Sequence, residues 1–303
     1  MNRVEFGAYI GELKLLNTRK ANLKNQLYSV ENQIEEMFTK IKPFLDKFNE
    51  HNASYPLTFE RTEEKYETSH ENAARLSNVL KKTLRQESFY GGASSINIFS
   101  LWFEDHSKLP EIDTDNYERV RLRKYHSGDI LDSGDPFYWI ELRKVSGNTV
   151  KKKRFNIWYR YLPFFLSNGY LEPVIRAENY DEYESKKALD AYFEIANWMN
   201  TRDAKPFVAI DYVRQAFLSE DKSIRVTLDS DIKYYSIPES ITGKNFDLSK
   251  FGFLGKEDIS IIKFKYSSTL PPEIAALKEG LSAPRSKIRN ALNLLEKRSP
   301  KKS

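Results

Sequence analysis

The sequence predicts an α+β fold in which about eight antiparallel strands form a β tunnel covered by helices, after a long N-terminal helix. Three observations lead to this prediction. Strands with alternating polar and apolar residues follow one another from about residue 57. The connections between these strands are too short for parallel crossovers. Most of the strands carry cationic side chains on one face. We divide the chain into a helical segment over 1–56, a tunnel domain over 57–297 and a basic tail over 298–303.

The composition limits the classes of protein that the chain can belong to. It is 40% hydrophobic and 30% charged with a net charge of +5, which is typical of a folded domain and only weakly favours an anionic partner. The absence of Cys excludes disulfides, thiolate zinc sites and a cysteine nucleophile. Because no run of about 18 apolar residues and no signal-peptide pattern is present, we expect a cytoplasmic protein without a membrane span.

The N-terminal segment has the residue spacing of a coiled coil. Apolar residues recur at alternating steps of three and four over about four heptads, with Lys20 at one seam position. This pattern predicts one helix over residues 9–41 that ends before Pro43. The residues expected on a buried seam are Leu16, Leu23, Val30 and Met37. Self-association, a partner helix and packing on the chain itself remain alternative explanations of the seam.

The predicted strands are separated by turn signals rich in Gly, Ser and Asp. We place the strands at 57–67, 95–103, 117–126, 137–145, 150–160, 206–217, 223–229 and 259–266. Helical spacing predicts helices near 69–86, 180–200 and 271–297. These helices should cover the apolar faces of the strands, because so much apolar surface cannot remain in water.

The strand at 117–126 shows the alternation most clearly. Arg119, Arg121 and Arg123 share one face, whereas Val120 and Leu122 point to the other. In a closed tunnel the cationic faces of successive strands would turn inward together, and unpaired buried charge is costly. The sequence therefore predicts a tunnel that binds a polyanion. Exposed basic strands on an open, nucleic-acid-binding sheet are the less favoured alternative.

Six motifs follow one another in a recognisable order. They are an R-x-E-x-K-Y strand at 61–66, "SLWFED" at 100–105, R-x-R-x-Y at 121–125, the pairs Glu141/Arg143 and Lys152/Arg154, and Y-x-R followed by R-x-T-x-D over 212–229. Ser286-Lys287 follows near the end. This series resembles the catalytic domain of the vacuolar transporter chaperone (VTC) family of polyphosphate polymerases, within the triphosphate tunnel metalloenzyme or CYTH superfamily. The resemblance runs from about residue 57 to residue 290.

The resemblance implies a tunnel that holds ATP or another triphosphate and moves its terminal phosphoryl group onto a polyphosphate chain. It implies catalytic roles for Lys65, Arg121, Arg123, Arg214, Arg225 and Lys287. It implies further substrate contacts by Arg61, Arg119, Arg143, Lys152, Arg154, Tyr212, Lys263 and Lys265. Guanidinium groups contact phosphate in a bidentate manner and ammonium groups act as mobile point charges, which suits phosphoryl transfer.

The position of the family's divalent metal is the clearest departure. A late-strand Glu of the family binds Mn²⁺ or Mg²⁺, and the matching residue here is Lys263, whose ammonium group cannot coordinate a cation. In one explanation Lys263 replaces part of the metal's charge, giving a tunnel that binds polyanions with little or no turnover. In the other, substrate oxygens and three acids, Glu63, Glu141 and Asp229, still hold a metal. Salt bridges to tunnel arginines are the structural alternative for each acid.

Overall fold

The computed structural model divides the chain into two compact units, Met1–Phe59 and Glu60–Ser303. The residues that the structure describes are 12–26, 28–30, 32–33, 36, 39–40, 62–89, 92–105, 116–126, 137–146, 149–167, 170–178, 182–238, 247–267, 269–283 and 286–298.

The N-terminal unit contains helix α1, in which all the described residues, 12–26, 28–30, 32–33, 36 and 39–40, are helical. The predicted helix is confirmed over these residues. The side chains of Leu16, Leu23 and Val30 are about half exposed in the single chain, and Met37 lies outside the described residues. The burial of this seam, by self-association or by a partner helix, therefore stays a prediction.

The second unit is built on one antiparallel sheet of ten strands. The strands are β1 (Thr62–Ser69), β2 (Arg85–Gln86), β3 (Ile96–Glu104), β4 (Asn116–His126), β5 (Phe137–Ser146), β6 (Thr149–Trp158), β7 (Lys205–Leu218), β8 (Ile224–Ser236), β9 (Gly252–Lys256) and β10 (Ile259–Tyr266). Their order is β1-β10-β8-β7-β3-β4-β5-β6, with β2 beside β7 and β9 beside β8. All eight predicted strands are present. The sequence analysis missed β2, which is too short to show alternation, and β9, whose "GFLGK" contains two glycines.

The two ends of the sheet, β1 and β6, are not paired with each other among the described residues. Their charged faces nevertheless approach each other. Glu63 on β1 interacts electrostatically with Arg143 on β5, and Lys152 on β6 interacts with Lys265 on β10. Such interactions require side chains from opposite ends of the sheet to lie close together. The predicted antiparallel tunnel fold is confirmed, with ten strands in place of eight and without closure by backbone hydrogen bonds.

All but the last helix of this unit cover the apolar face of the sheet. The helices are α2 (His70–Thr83), α3 (Leu162–Leu166), α4 (Glu172–Glu178), α5 (Glu182–Thr201), α6 (Pro272–Ala275) and α7 (Lys287–Arg298). In α2, Leu76 and Leu80 belong to one buried cluster with Phe217 and Phe264 of the sheet. A second cluster joins α3, α4 and α5 to β4, β5 and β6. The helices therefore shield the apolar strand faces, as the sequence predicts.

Helix α7 is the exception, because it packs on the same side of the sheet as the cationic residues. Its residues Ile288 and Leu292 share a buried cluster with Ile98, Ile210 and Ile261. The predicted helix over 271–297 is in fact two helices, α6 and α7, since Gly280 adopts a φ of 75° between them. Within the described part of the chain, no helix combines the length and apolar character that a membrane crossing requires.

Candidate functional site

The strand register places the predicted cationic residues on one face of the sheet. Cross-strand partners in an antiparallel sheet point to the same side, and the pairs here include Lys65 with Lys263, Lys265 with Arg225, Arg214 with Asp229, Arg121 with Glu141, and Arg143 with Lys152. We refer to this side as the cationic face: Lys65, Arg119, Arg121, Arg123, Arg143, Lys152, Arg154, Arg214, Arg225, Lys263 and Lys265. Arg61 lies outside the described residues.

Asp229 is the centre of the most densely bonded part of this face. Its side chain is 0% exposed. Arg214 donates from Nε to Oδ1 at 2.7 Å and from Nη2 to Oδ2 at 2.9 Å, and Lys287 of α7 donates from Nζ to Oδ2 at 2.9 Å. The Nζ atom of Lys263 lies 3.4 Å from Oδ2. We refer to these four residues as the Asp229 cluster. Burial raises the pKa of Asp229, but the cations outweigh burial and hold it well below its usual range.

Tyr212 lies beside the Asp229 cluster, between two guanidinium groups. Its hydroxyl oxygen accepts hydrogen bonds from Nη2 of Arg123 and from Nη2 of Arg214, each at 3.4 Å. The Nζ atom of Lys287 lies 3.5 Å from the centroid of the Tyr212 ring. Desolvation raises the pKa of Tyr212, but the charges of Arg123 and Arg214 outweigh it and lower the pKa from 10.0 to about 7. This phenol therefore ionises near neutral pH.

We predict that one tyrosine of the wild-type protein titrates near pH 7 in an ultraviolet difference titration, and that this step is missing in Tyr212→Phe. The pKa of Tyr212 is lower in the folded protein than in the unfolded chain. Its ionisation therefore adds stability as the pH rises from about 7 toward 10, and that contribution is lost as the pH falls through 7. A bound phosphate chain opposes the phenolate charge, so tripolyphosphate should move the step to higher pH. A wild-type titration with all tyrosines ionising near pH 10 would contradict this.

Several predicted binding residues are paired with carboxylates. Arg121 donates to Glu141 at 2.5 Å, and Lys265 lies 2.9 Å from Glu63. Arg119 pairs with Glu104 at 2.9 Å. Arg225 pairs with Glu87 at 2.8 Å, and Glu87 follows the short strand β2 that the sequence analysis missed.

Other cations lie on the face without such close pairing. Within the described part of the chain, Arg123 bonds to hydroxyl groups and not to a carboxylate: to Ser100 and Tyr212, each at 3.4 Å, and to Tyr125. Arg154 stacks on the Trp139 ring with 4.4 Å between the guanidinium carbon and the ring centroid. Lys152 is accessible to water, yet desolvation by surrounding protein lowers its pKa well below the usual value. Accessibility to water combined with desolvation by nearby protein is typical of a side chain that lines a channel.

Two lysines illustrate how strongly positive this face is. Desolvation and the neighbouring Lys263 lower the pKa of Lys65 to about 8. Desolvation also lowers the pKa of Lys263 to about 8, where repulsion by Lys287 and Arg214 opposes attraction by Asp229. Both groups remain mostly charged at pH 7, and a nearby polyanion would raise both pKa values.

Some buried donors on the cationic face have no hydrogen-bond partner in the described structure. They are Nε of Arg121, Nε of Arg143 and the hydroxyl of Thr227. Thr227 is 1% exposed and lies directly across from Lys263. Unsatisfied buried donors are costly, and a ligand rich in acceptor oxygens would satisfy them. Thr227 belongs to the R-x-T-x-D motif, but the sequence analysis did not include it among the site residues.

The acids predicted as metal ligands do not form a metal site. Glu63 is paired with Lys265, Glu141 with Arg121, and Asp229 with Arg214 and Lys287. The described residues contain no group of three or more His, Cys, Asp or Glu side chains that could hold a metal ion. Because each candidate carboxylate is already bonded to a cation, the donor set does not fit a divalent metal at this position.

Comparisons with solved structures returned proteins of low identity. A proposed adenylate cyclase from Bacillus halodurans is 12% identical, with a TM-score of 0.43 over 77% of this chain and 98% of that chain. The PH1819 protein from Pyrococcus horikoshii OT3 is 14% identical, with a TM-score of 0.36 over 78% of this chain and 99% of that chain. No curated protein sequence gives a significant match.

The family comparison is decisive. The model of the VTC domain matches residues 60–290, which is most of the chain and includes every described strand. This agrees with the resemblance drawn from the six sequence motifs, and with the cationic face on which those motifs lie. The chain belongs to the VTC domain family.

Proposed function

We propose that this protein is a polyphosphate polymerase-like phosphotransferase that holds the phosphates of ATP, another triphosphate or polyphosphate along the cationic face. The observation that supports it most directly is the excess of positive charge. Lysines and arginines from β1, β4, β5, β6, β7, β8 and β10 share one face of the sheet with Lys287, and they outnumber the acids that pair with them. A linear phosphate chain supplies closely spaced negative charges that would balance this excess.

In the proposed reaction, a terminal oxygen of polyphosphate attacks the γ-phosphorus of ATP. The bond between the γ-phosphorus and its bridging oxygen breaks, and ADP leaves with the bond's electron pair. The attacking phosphate oxygen is already anionic at neutral pH, so no general base is required. Catalysis then depends on positioning and on stabilising charge at the equatorial oxygens. Arg123, Arg214 and Lys287 are the groups that we assign to these oxygens, because they converge on Tyr212.

A polyphosphate-binding module without turnover is the second candidate. The contact between Lys263 and Asp229 favours it, because this cation occupies the position of the family's metal-binding glutamate. A nucleic-acid-binding surface is not favoured. Such a surface needs its cations exposed, whereas Arg119 and Arg121 are buried.

Incubation of the full chain with ATP, with and without Mn²⁺ or Mg²⁺, tests the proposal. We expect ATP to be converted to ADP together with polyphosphate, and we expect Lys287→Ala to lose this conversion. Free phosphate without polyphosphate would indicate a triphosphate hydrolase instead. Tripolyphosphate binding without turnover would select the binding module. If the protein shows no tripolyphosphate binding and no ATP turnover, both candidates are refuted.

A further inference from the structure

Lys263 lies where the family resemblance places a metal-binding glutamate. It is on β10, opposite Lys65 of β1 and Thr227 of β8. Its side chain is mostly buried, and Nζ lies 3.4 Å from Oδ2 of Asp229. The ammonium group therefore lies inside the site, beside the one fully buried carboxylate that the described cationic face contains.

The charges of the Asp229 cluster do not balance. Arg214, Lys263 and Lys287 face the single carboxylate of Asp229, which leaves an excess of two positive charges. This excess equals the formal charge of one divalent cation. The oxygens of Asp229 already accept from Arg214 and Lys287, so a metal ion would have to displace these donors and overcome repulsion from all three cations.

A second observation concerns the donors beside Lys263. The hydroxyl of Thr227 has no hydrogen-bond partner in the described structure and is almost inaccessible to water. It belongs to the residue directly across the sheet from Lys263. An ammonium group and a neighbouring unsatisfied hydroxyl together form a binding position for phosphate oxygens, and neither requires a metal ion as an intermediary.

We propose that Lys263, together with Lys287 and Arg214, takes the place of the divalent cation, so that this protein binds tri- and polyphosphate without metal. The inference rests on the proposed function, because it concerns the same site and the same class of ligand. It also predicts that the free anion binds better than its magnesium complex. Mg²⁺ neutralises part of the ligand charge that the cations of the cluster would otherwise contact.

Calorimetry of the full chain with tripolyphosphate, in EDTA and in excess Mn²⁺ or Mg²⁺, tests this inference. The wild-type protein should bind in EDTA and gain nothing from metal. Lys263→Glu should bind about 10- to 100-fold more weakly in EDTA, the range for losing one charge-assisted contact, and Mn²⁺ should restore its binding. Lys263→Gln is the matched control. It also loses the charge, but it provides no carboxylate and should not be rescued by Mn²⁺.

The possible outcomes separate the inference from the proposed function. Wild-type protein that binds tripolyphosphate only with metal would overturn the inference and leave the proposed function standing. Wild-type protein that does not bind in either condition would overturn the proposed function itself. Thermal unfolding of each variant checks its folding. The comparison of wild-type protein in EDTA and in metal decides the question even if a variant does not fold.

Discussion

Replacing Arg123 with Ala is expected to weaken tripolyphosphate binding by about 100-fold and to leave the fold intact. One guanidinium group makes up to two charge-assisted hydrogen bonds to a phosphate, each contributing about 1.5–3 kcal/mol. Among the described residues, the guanidinium of Arg123 bonds to the hydroxyls of Ser100 and Tyr212, at 3.4 Å in both cases, and of Tyr125, but to no carboxylate. Its removal therefore leaves no carboxylate unpaired and relieves repulsion in the empty site. Calorimetry gives the affinity, and urea unfolding gives the stability.

Arg202→Ala is the matched control for Arg123→Ala. Arg202 is a partly exposed arginine that pairs with Glu118 at 3.0 Å, away from the cationic face. Its replacement removes the same formal charge but only a weak surface pair, so tripolyphosphate affinity should change little. Equal weakening in the two variants would mean that the ligand responds to net charge alone, and the assignment of Arg123 to the site would be wrong.

The face on which each cationic residue lies could be predicted from sequence because strand side chains alternate with a period of two. Arg121, Arg123 and Arg154 each occupy the predicted side of their strand, and the strand register brings them together. The division into apolar and cationic faces and the eight main strands follow from this one property, whereas the family resemblance rests on the order of the motifs themselves.

Pairings between distant residues could not be predicted in the same way. Arg225 bonds to Glu87, which is 138 residues away, and Lys287 bonds to Asp229 across 58 residues. Alternation reports which side of a strand a residue faces, but not which other segment comes to lie against that side. The packing of α7 on the cationic side, where Ile288 enters the apolar cluster, is of the same kind.

Asp229→Asn is expected to destabilise the empty protein by about 3–5 kcal/mol, the cost of breaking a buried ion pair by removing one partner. The substitution keeps the shape of the side chain but removes the negative charge that Arg214, Lys263 and Lys287 share. Since the pKa of Asp229 is held well below its usual range, the wild-type protein keeps this stabilisation down to acidic pH and loses it only as the pH falls through that lowered pKa. Urea unfolding at neutral pH measures the difference.

The same variant should respond more strongly than wild type to a polyanion, because a phosphate chain can replace the missing counter-charge. Saturating tripolyphosphate should therefore recover much of the stability that Asp229→Asn loses. Glu63→Gln provides the comparison. Glu63 forms one close ion pair, with Lys265, and lies near Lys263 and Arg143, but its side chain is partly exposed, so its loss should cost clearly less than the loss of Asp229. If Asp229→Asn is as stable as wild type without ligand, Asp229 is not the carboxylate that balances the cationic face. If it is unstable but tripolyphosphate does not rescue it, the three cations hold the fold together through Asp229 without forming a phosphate site.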